Sequence, residues 1–409
     1  MTNPLKYSCL FGGGAIRGIA YIGVIRALEE LNIEYDIIAG SSVGSIFATL
    51  IACGYKSYEL ENIFLKVNFD LFKDIHLGIG KNFGISKGEI FIEWINELIS
   101  KKISLKNNSC NFEKLNKKLV IITTNLTKFQ SQEFSLEATP QFEVAKAIRI
   151  SSSMPGLMPI YEYEKSYLVD GDLQKASPMW QLSDTINNSQ SRILEFRLEG
   201  DFNSNNKTPL GLINNIYSCV TDIASDFVKK IYGDNDRFDC IKIYTGDFFF
   251  ADFNLNKDER RKLIEKGYEQ TIKYFKEFLP QKKSKLLDIY TPISEYLKNA
   301  YKGLKANNVE EVQWWLGDIF TIMCENKEII DPNIYQLILK TKNELMQNTS
   351  KLFFFRNCFK NIKKIEQTLK STINTIDCRI TDLKLFLQAI NIEKNNDNNV
   401  KENVIDTKD

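Results

Sequence analysis

The chain has 409 residues, enough for one large domain with an appendage or for two domains. Its 43% hydrophobic and 26% charged content is ordinary for a soluble globular protein. A net charge of +1 gives no bulk attraction to nucleic acid, so no nucleic-acid partner is expected, and no apolar run is long enough to span a bilayer.

The N-terminus lacks the basic start and long apolar run of a signal peptide, so a cytoplasmic location is expected, with export by another route left open. Eight cysteines are scattered without a C-x-x-C pair, so zinc and redox motifs are unsupported. Several lie in apolar runs and read as small buried hydrophobes in a reducing compartment.

Leu5–Phe11 reads as a first strand. It enters the glycine run Gly12-Gly13-Gly14-Ala15-Ile16-Arg17-Gly18, and a helix is predicted over 19–31, with Ile22, Ile25, Leu28 and Leu31 on one face. A short apolar strand at 37–39 leads into Gly40-Ser41-Ser42-Val43-Gly44 and a helix that begins near Val43. Two strand–helix units in succession predict a parallel sheet with right-handed crossovers.

A further helix is predicted over 58–71, then a loop over 75–86 with three glycines. An amphipathic helix follows through Phe91, Trp94, Ile95, Leu98 and Ile99, with Ser86 and Glu89 as a capping box. Lys118–Asn125 is the strongest buried strand, with 132–136 as its partner. Pro140 is expected to start a helix that ends in Ser151-Ser152-Ser153-Met154-Pro155-Gly156. Ser166–Val169 is a short strand, followed at once by Asp170-Gly171-Asp172.

Strands are predicted over 192–198 and 239–245, with a polar loop over 201–208 and a helix over 209–232 between them. A long helix over 257–279 is expected to end at Pro280. Beyond it, 285–390 carries helical patterns and almost no strand signal, and 393–409 is polar enough to be disordered. The expected division is therefore 1–280, 285–390 and a tail over 393–409.

Gly40-Ser41-Ser42-Val43-Gly44 is a G-x-S-x-G, the pattern of a nucleophile elbow, though an ordinary strand-to-helix turn fits the same residues. The helix behind Ser42 would turn its positive end toward the site. The glycine run is a poor dinucleotide fingerprint, because Ala15 takes the middle glycine's place and the second strand ends in Gly40-Ser41-Ser42 rather than an acid. It is not a P-loop, since no Gly-Lys-Ser/Thr follows. Bare backbone amides after a strand would instead suit an oxyanion hole.

A serine nucleophile needs a base. The single histidine, His76, precedes Asp170 and lies in the glycine-rich loop, so it is read as structural or surface. Without it the base must be a lysine or a carboxylate, and Asp170 is an attractive candidate because it ends a strand and precedes a glycine.

These pieces, in this order, resemble the patatin-like phospholipase family: Gly13-Gly14-Ala15-Ile16-Arg17-Gly18, the Ser42 elbow, and Asp170-Gly171. Phe83-Gly84-Ile85-Ser86-Lys87-Gly88-Glu89 and the Ser151 to Gly156 stretch look like the family too. The resemblance covers residues 5–280. It implies a three-layer α/β/α sandwich with a mainly parallel sheet, followed here by a helical C-terminal region. It implies a lipid acyl hydrolase of phospholipase A type, a serine carboxylic-ester hydrolase working by a Ser-Asp dyad without metal or cofactor. By matching position Ser42 is the nucleophile, Asp170 the base, and the amides of Gly13, Gly14 and Ala15 the oxyanion hole. Gly40, Gly44, Gly18, Gly171 and Arg17 support them, with Arg17 fixing the loop.

Two positions depart from the family pattern. Ala15 stands where the third loop glycine is usual, and Asp172 where Asp-Gly-Gly or Asp-Gly-Ala is frequent. Asp172 is expected either to raise the proton affinity of Asp170 by repulsion or to pair with a lysine such as Lys175.

The expected substrate is a membrane phospholipid or another acyl-ester lipid. The expected associations are transient contact with a membrane surface and an unidentified protein activator. The alternative is a catalytically silent lipid-binding or scaffold protein of the same fold. Residues 351–364 mix aromatic and basic side chains as an interfacial helix would, although a packed helix with a charged outer face is the preferred reading. Phe248-Phe249-Phe250 is read as buried or as a channel wall, and Trp314-Trp315 as core.

Overall fold

The computed structural model describes residues 5–78, 84–104, 109–174, 191–200, 233–248, 254–306, 308–352 and 359–405, with isolated positions between them. The loop expected at 201–208 lies outside these residues, as do Lys175, Phe249, Phe250, most of the helix expected at 209–232 and the side chains of 351–362. Two compact units are formed.

The first unit spans Met1–Gly233 and Phe238–Ile272. Among the described residues its sheet has eight strands and is mixed and mostly parallel, with flanking helices. Strand β1 (Leu5–Phe11) pairs in parallel with β2 (Ile33–Ser41) on one side and β9 (Arg192–Glu199) on the other. Strand β10 (Phe238–Tyr244) extends the sheet beyond β9, and β5 (Lys118–Asn125) extends it beyond β2, both in parallel. These strands read as unbroken apolar runs because both faces are buried. Leu10, Ala39, Val120, Ile122, Ile193 and Phe238 form the core on one face. On the other, Phe11 meets Tyr21 of α1 (Ala20–Glu30), and Tyr21 meets Phe47 of α2 (Val43–Ala52), at ring separations of 5.2 and 5.7 Å.

Three strands break the parallel pattern. Strand β6 (Gln130–Ser135) runs antiparallel to β5 from Val120 to Asn125. Strand β8 (Ser166–Val169) also runs antiparallel to β5, pairing Val169 with Thr124 and Leu168 with Asn125, while β7 (Tyr161–Tyr163) pairs with β8. A β-strand has two edges. Since β6 takes one edge of β5, β2 and β8 share the other.

Several local expectations are corrected. Residues 75–86 are not simply a loop: β3 (Ile75–Gly78) and β4 (Gly84–Ser86) form an antiparallel pair. The backbone of His76 lies in β3, and its side chain is outside the described residues. The helix over 58–71 is shorter, α3 (Ser57–Phe64), followed by a 3-10 turn at Phe69–Lys73. Ser86 does not cap the next helix, α4 (Glu89–Lys102). Its N-cap is Gly88 at φ 74, and the Glu89 N–H donates instead to Asp74 Oδ2 at 3.1 Å. Helix α5 begins at Val144, not Pro140, and ends at Ser151.

Pro280 does not end the long helix either. Helix α6 (Lys257–Lys273) passes through a π-turn at Tyr274–Phe278 into α7 (Leu279–Lys305), with Pro280 in the first turn of α7. Proline is tolerated there because a first-turn N–H has no acceptor one turn back.

The second unit spans Lys273–Asp409 together with Asp234–Arg237. It is helical: α7, α8 (Val309–Glu325), α9 (Pro332–Leu352) and α10 (Phe359–Ile405). Tyr290 and Ile293, Ile319 and Met323, Ile338 and Leu345, and Leu369 and Ile376 supply one shared core. The segment Asp234–Arg237 is tied into it by Asp236, whose carboxylate accepts from Tyr290 Oη at 3.0 Å and Arg379 Nε at 2.8 Å.

Candidate active site

The site is built where β2 and β8 meet. Ser41, the last residue of β2, pairs with Ile122 of β5, and Val169, the last of β8, pairs with Thr124. The two strands approach from opposite directions along one edge of β5, and only Thr123 separates their ends. At a rise of ~3.4 Å per residue the gap between these levels is about 7 Å. Ser42 and Asp170 are the next residues on the two chains, so the turn that carries each faces the other. Direction matters here: Asp170 does not reach the site at the end of another parallel strand but arrives from the opposite side.

The turn at Ser42 is sharp, with φ 50 and ψ −131, a conformation that costs a non-glycine residue free energy and holds only where neighbours over-determine it. Those neighbours are identifiable. The Ser42 N–H donates to both the carbonyl and the Oγ of Ser151, at 3.2 and 3.0 Å. Ser151 Oγ in turn donates to the Ile122 carbonyl at 2.6 Å. The Ser42 carbonyl accepts from Ser45 Oγ at 2.6 Å. Gly44 is needed because a Cβ there would collide with the Phe11 carbonyl, where α2 crosses the end of β1. Gly40 packs against the backbone of Gly44 and Ser45, and Gly18 against Val43, with equally little space.

Asp170 is buried, and its N–H donates to the Ser153 carbonyl at 3.0 Å. Its Oδ1 accepts the Asp172 N–H at 2.9 Å. Gly171 lies against Ile122 and within reach of Ser41, since a Cβ on it would stand 3.0 Å from Ser41 Cβ. Ser151 and Ser153, at the end of α5, thus hold both approaching turns. Arg149 fixes that end by donating to Ser153 Oγ at 2.7 Å, the Pro159 carbonyl at 3.0 Å and the Lys87 carbonyl at 3.2 Å.

The glycine run leaves β1 beside Ser42. A Cβ on Gly13 would collide with the Asp172 carboxylate and come within 2.8 Å of Ser42 Cβ. Gly14 (φ 151) and Ala15 (φ 49) both have positive φ, so the alanine occupies a conformation that favours glycine. Arg17 fixes this loop, its Nε donating to the Gly14 carbonyl at 3.3 Å and its N–H to the same oxygen at 3.2 Å. That backbone bond is the first of a 3-10 turn at Ala15–Ile19, so the Ala15 N–H has no acceptor within the turn.

The three amides expected as an oxyanion hole are not equivalent. The Gly13 N–H donates to Asp172 Oδ1 at 3.0 Å, which leaves those of Gly14 and Ala15. Asp172 Oδ1 also accepts from Ser41 Oγ at 2.5 Å. Beneath the loop, Tyr21 Oη donates to the Gly12 carbonyl at 2.8 Å and the Phe196 carbonyl at 3.2 Å. Burial, then the Asp172 and Glu195 carboxylates, push this phenol well above the usual tyrosine range, so it remains a donor. Arg197, also buried, would be shifted down by desolvation, but Glu195 beside it and Asp172 further off hold it above the usual arginine range.

Residues 10–182 match the family model described as patatin-like phospholipase. An uncharacterized protein of Acanthamoeba polyphaga mimivirus is 30% identical over 278 residues, which cover 65% of this chain and 92% of that one.

The chain belongs to the patatin-like phospholipase family.

A protein of Invertebrate iridescent virus 6 named as a lipid hydrolase is 28% identical over 190 residues, 43% of this chain and 63% of its own. Lysophospholipase nte1 of Aspergillus fumigatus is 30% identical over 181 residues, 40% of this chain and 10% of its own. The matched region of this patatin-like chain contains the Ser42 turn, the glycine run and Asp170-Gly171-Asp172, and it stops short of the helical unit. Among the described residues no cluster of acidic, histidine or cysteine side chains could hold a metal ion.

Proposed function

We propose that this chain hydrolyses the acyl ester of a membrane lipid, as a phospholipase A-type or lysophospholipase-type enzyme. The observation that carries the reading is the abutting pair of strand ends, which bring the turns of Ser42 and Asp170 together beside the glycine loop.

In this reading Asp170 accepts the proton of Ser42 Oγ as the oxygen attacks the ester carbonyl. The N–H groups of Gly14 and Ala15 stabilise the oxyanion, and the positive end of α2 adds to the field. The tetrahedral intermediate collapses, the lipid alcohol leaves with the proton held by Asp170, and Ser42 carries the acyl group. Water then attacks the acyl ester, Asp170 again takes the proton and returns it to Ser42 Oγ as that oxygen leaves, and fatty acid is released. A carboxylate of ordinary pKa, ~3.9, is a weak base at neutral pH. A lipid seated over the two turns would exclude water from the reacting groups and favour proton transfer to the carboxylate.

No helix of the described residues is long and apolar enough to cross a membrane. Access to a bilayer lipid is proposed as contact with the membrane surface. The test is labelling with a fluorophosphonate probe, paired with product analysis on mixed phospholipid vesicles. Labelling and fatty-acid release that both vanish in Ser42→Ala support the reading. Folded protein that binds vesicles but neither labels nor releases fatty acid would instead fit a silent lipid-binding protein.

A further inference from the structure

Asp172 is 3% exposed, and its partners are spread over three parts of the site. Its Oδ1 takes the Gly13 N–H at 3.0 Å and the Ser41 hydroxyl at 2.5 Å, while its own N–H goes to Asp170 Oδ1 at 2.9 Å. The glycine loop, the elbow and the candidate base therefore converge on one residue. Gly13 is packed so closely on this carboxylate that no Cβ fits between them.

A second feature lies two residues along. Ala15 holds φ 49, where an L side chain is strained. Such a conformation persists only when the chain on both sides is fixed. On the C-terminal side Arg17 holds the Gly14 carbonyl. On the N-terminal side the Gly12 carbonyl accepts from Tyr21 Oη at 2.8 Å, and the Gly13 N–H, nearer the strained residue, donates to Asp172 Oδ1 at 3.0 Å. A run of glycines has no side chains with which to fix itself, and glycine has the most conformational freedom to lose.

We propose that Asp172 is a positioning residue that clamps the oxyanion loop to the elbow and thereby holds Ala15 in its left-handed conformation, with the Gly14 and Ala15 amides aimed at the reacting carbonyl. The inference rests on the hydrolase reading above. The two features then compensate one another: the alanine strains the loop, and the aspartate restrains it. The bonds from the Gly13 N–H and the Ser41 hydroxyl both end on Asp172 Oδ1. An asparagine can keep them, and an alanine cannot.

The test is steady-state hydrolysis of a soluble short-chain p-nitrophenyl ester by the full chain, with folding checked by thermal melting. Asp172→Ala is expected to lower kcat by about tenfold or more with KM changed by less than about threefold, and Asp172→Asn to lose far less. The loss from Asp172→Ala is expected to shrink in the Ala15→Gly background, where the left-handed conformation no longer needs a clamp. Equal losses in the two backgrounds, or an Asp172→Ala enzyme with wild-type kcat, would overturn the proposal. Wild type without Ser42-dependent hydrolysis would overturn the hydrolase reading and this inference together, so the two failures are told apart. Amide exchange of wild type gives a readout independent of any variant: the Gly13 N–H is expected to be protected, and exchange at the rate of an open loop would contradict the clamp.

Discussion

Ser41 and Val169 end their strands on the same edge of β5, with only Thr123 between their levels. This meeting of an oppositely directed pair places the turns of Ser42 and Asp170 opposite one another. It depends on β5 running on past β2 as far as Asn125, which gives β8 an edge to pair with. It also depends on the end of α5, which bonds to both turns.

Ser151 is the residue whose loss should loosen that arrangement most directly. Its Oγ accepts the Ser42 N–H at 3.0 Å and donates to the Ile122 carbonyl at 2.6 Å. Ser151→Ala is expected to cost about 1 kcal/mol in urea unfolding, because the Ile122 carbonyl loses a donor and the Ser42 N–H keeps only the Ser151 carbonyl. Turnover of a soluble ester should fall about tenfold as the elbow shifts. Wild-type turnover in a folded variant would show that this bond does not position Ser42.

Gly13→Ala tests the packing of the glycine loop. The added methyl meets the Asp172 carboxylate on one side and comes within 2.8 Å of Ser42 Cβ on the other. A displacement of this kind is expected to lower kcat by about a hundredfold while the protein still folds. Initial-rate kinetics on a soluble ester read the effect.

The helical unit has its own buried anchor. Asp236, 1% exposed, accepts from Tyr290 Oη and Arg379 Nε. Asp236→Ala leaves the guanidinium and the phenol without their acceptor, and should destabilise this unit by about 3 kcal/mol. Asp236→Asn, which keeps the shape, should cost less. Denaturant unfolding followed by circular dichroism at the helix band distinguishes the two.

Burial pushes the Cys53 thiol up to about 12 and the Cys110 thiol up to about 11. A raised thiol pKa keeps the unreactive protonated form until the pH approaches those values, and both side chains are also shielded. Iodoacetamide at pH 8 is therefore expected to modify the exposed Cys324 and Cys378 in the native protein and to spare Cys53 and Cys110 until denaturant is added. Mass mapping that finds Cys53 alkylated in native protein would contradict the packing of α2.

The elements around the site were legible where long apolar runs are bounded by turn residues. Lys118–Asn125 and Leu5–Phe11 are strands over the whole predicted span, and α2 begins at Val43. Strand direction was not legible. Nothing within Ser166–Val169 says whether it pairs parallel or antiparallel, so the approach of Asp170 from the far side had to come from the register. The strands at 75–78 and 84–86 were missed because each is very short and glycine interrupts the alternation. The acceptor at the start of α4 is not legible locally because Asp74 lies 15 residues away in sequence. Pro280 reads locally as a stop, although a helix can also begin with proline in its first turn. The sequence sets Asp172 beside Asp170 and Lys175. Its observed partners Gly13 and Ser41 are 159 and 131 positions away, beyond the reach of any local pattern.

The most direct test of the central claim is a double-mutant cycle on Ser42→Ala and Asp170→Asn, with ester hydrolysis measured for both single variants and the pair. Residues that act as one unit each remove nearly the whole effect. Each single variant is therefore expected to lose about a thousandfold or more in kcat, and the double variant no more than the worse single one. Losses that multiply in the double variant, or a folded single variant that turns over at the wild-type rate, would contradict the account.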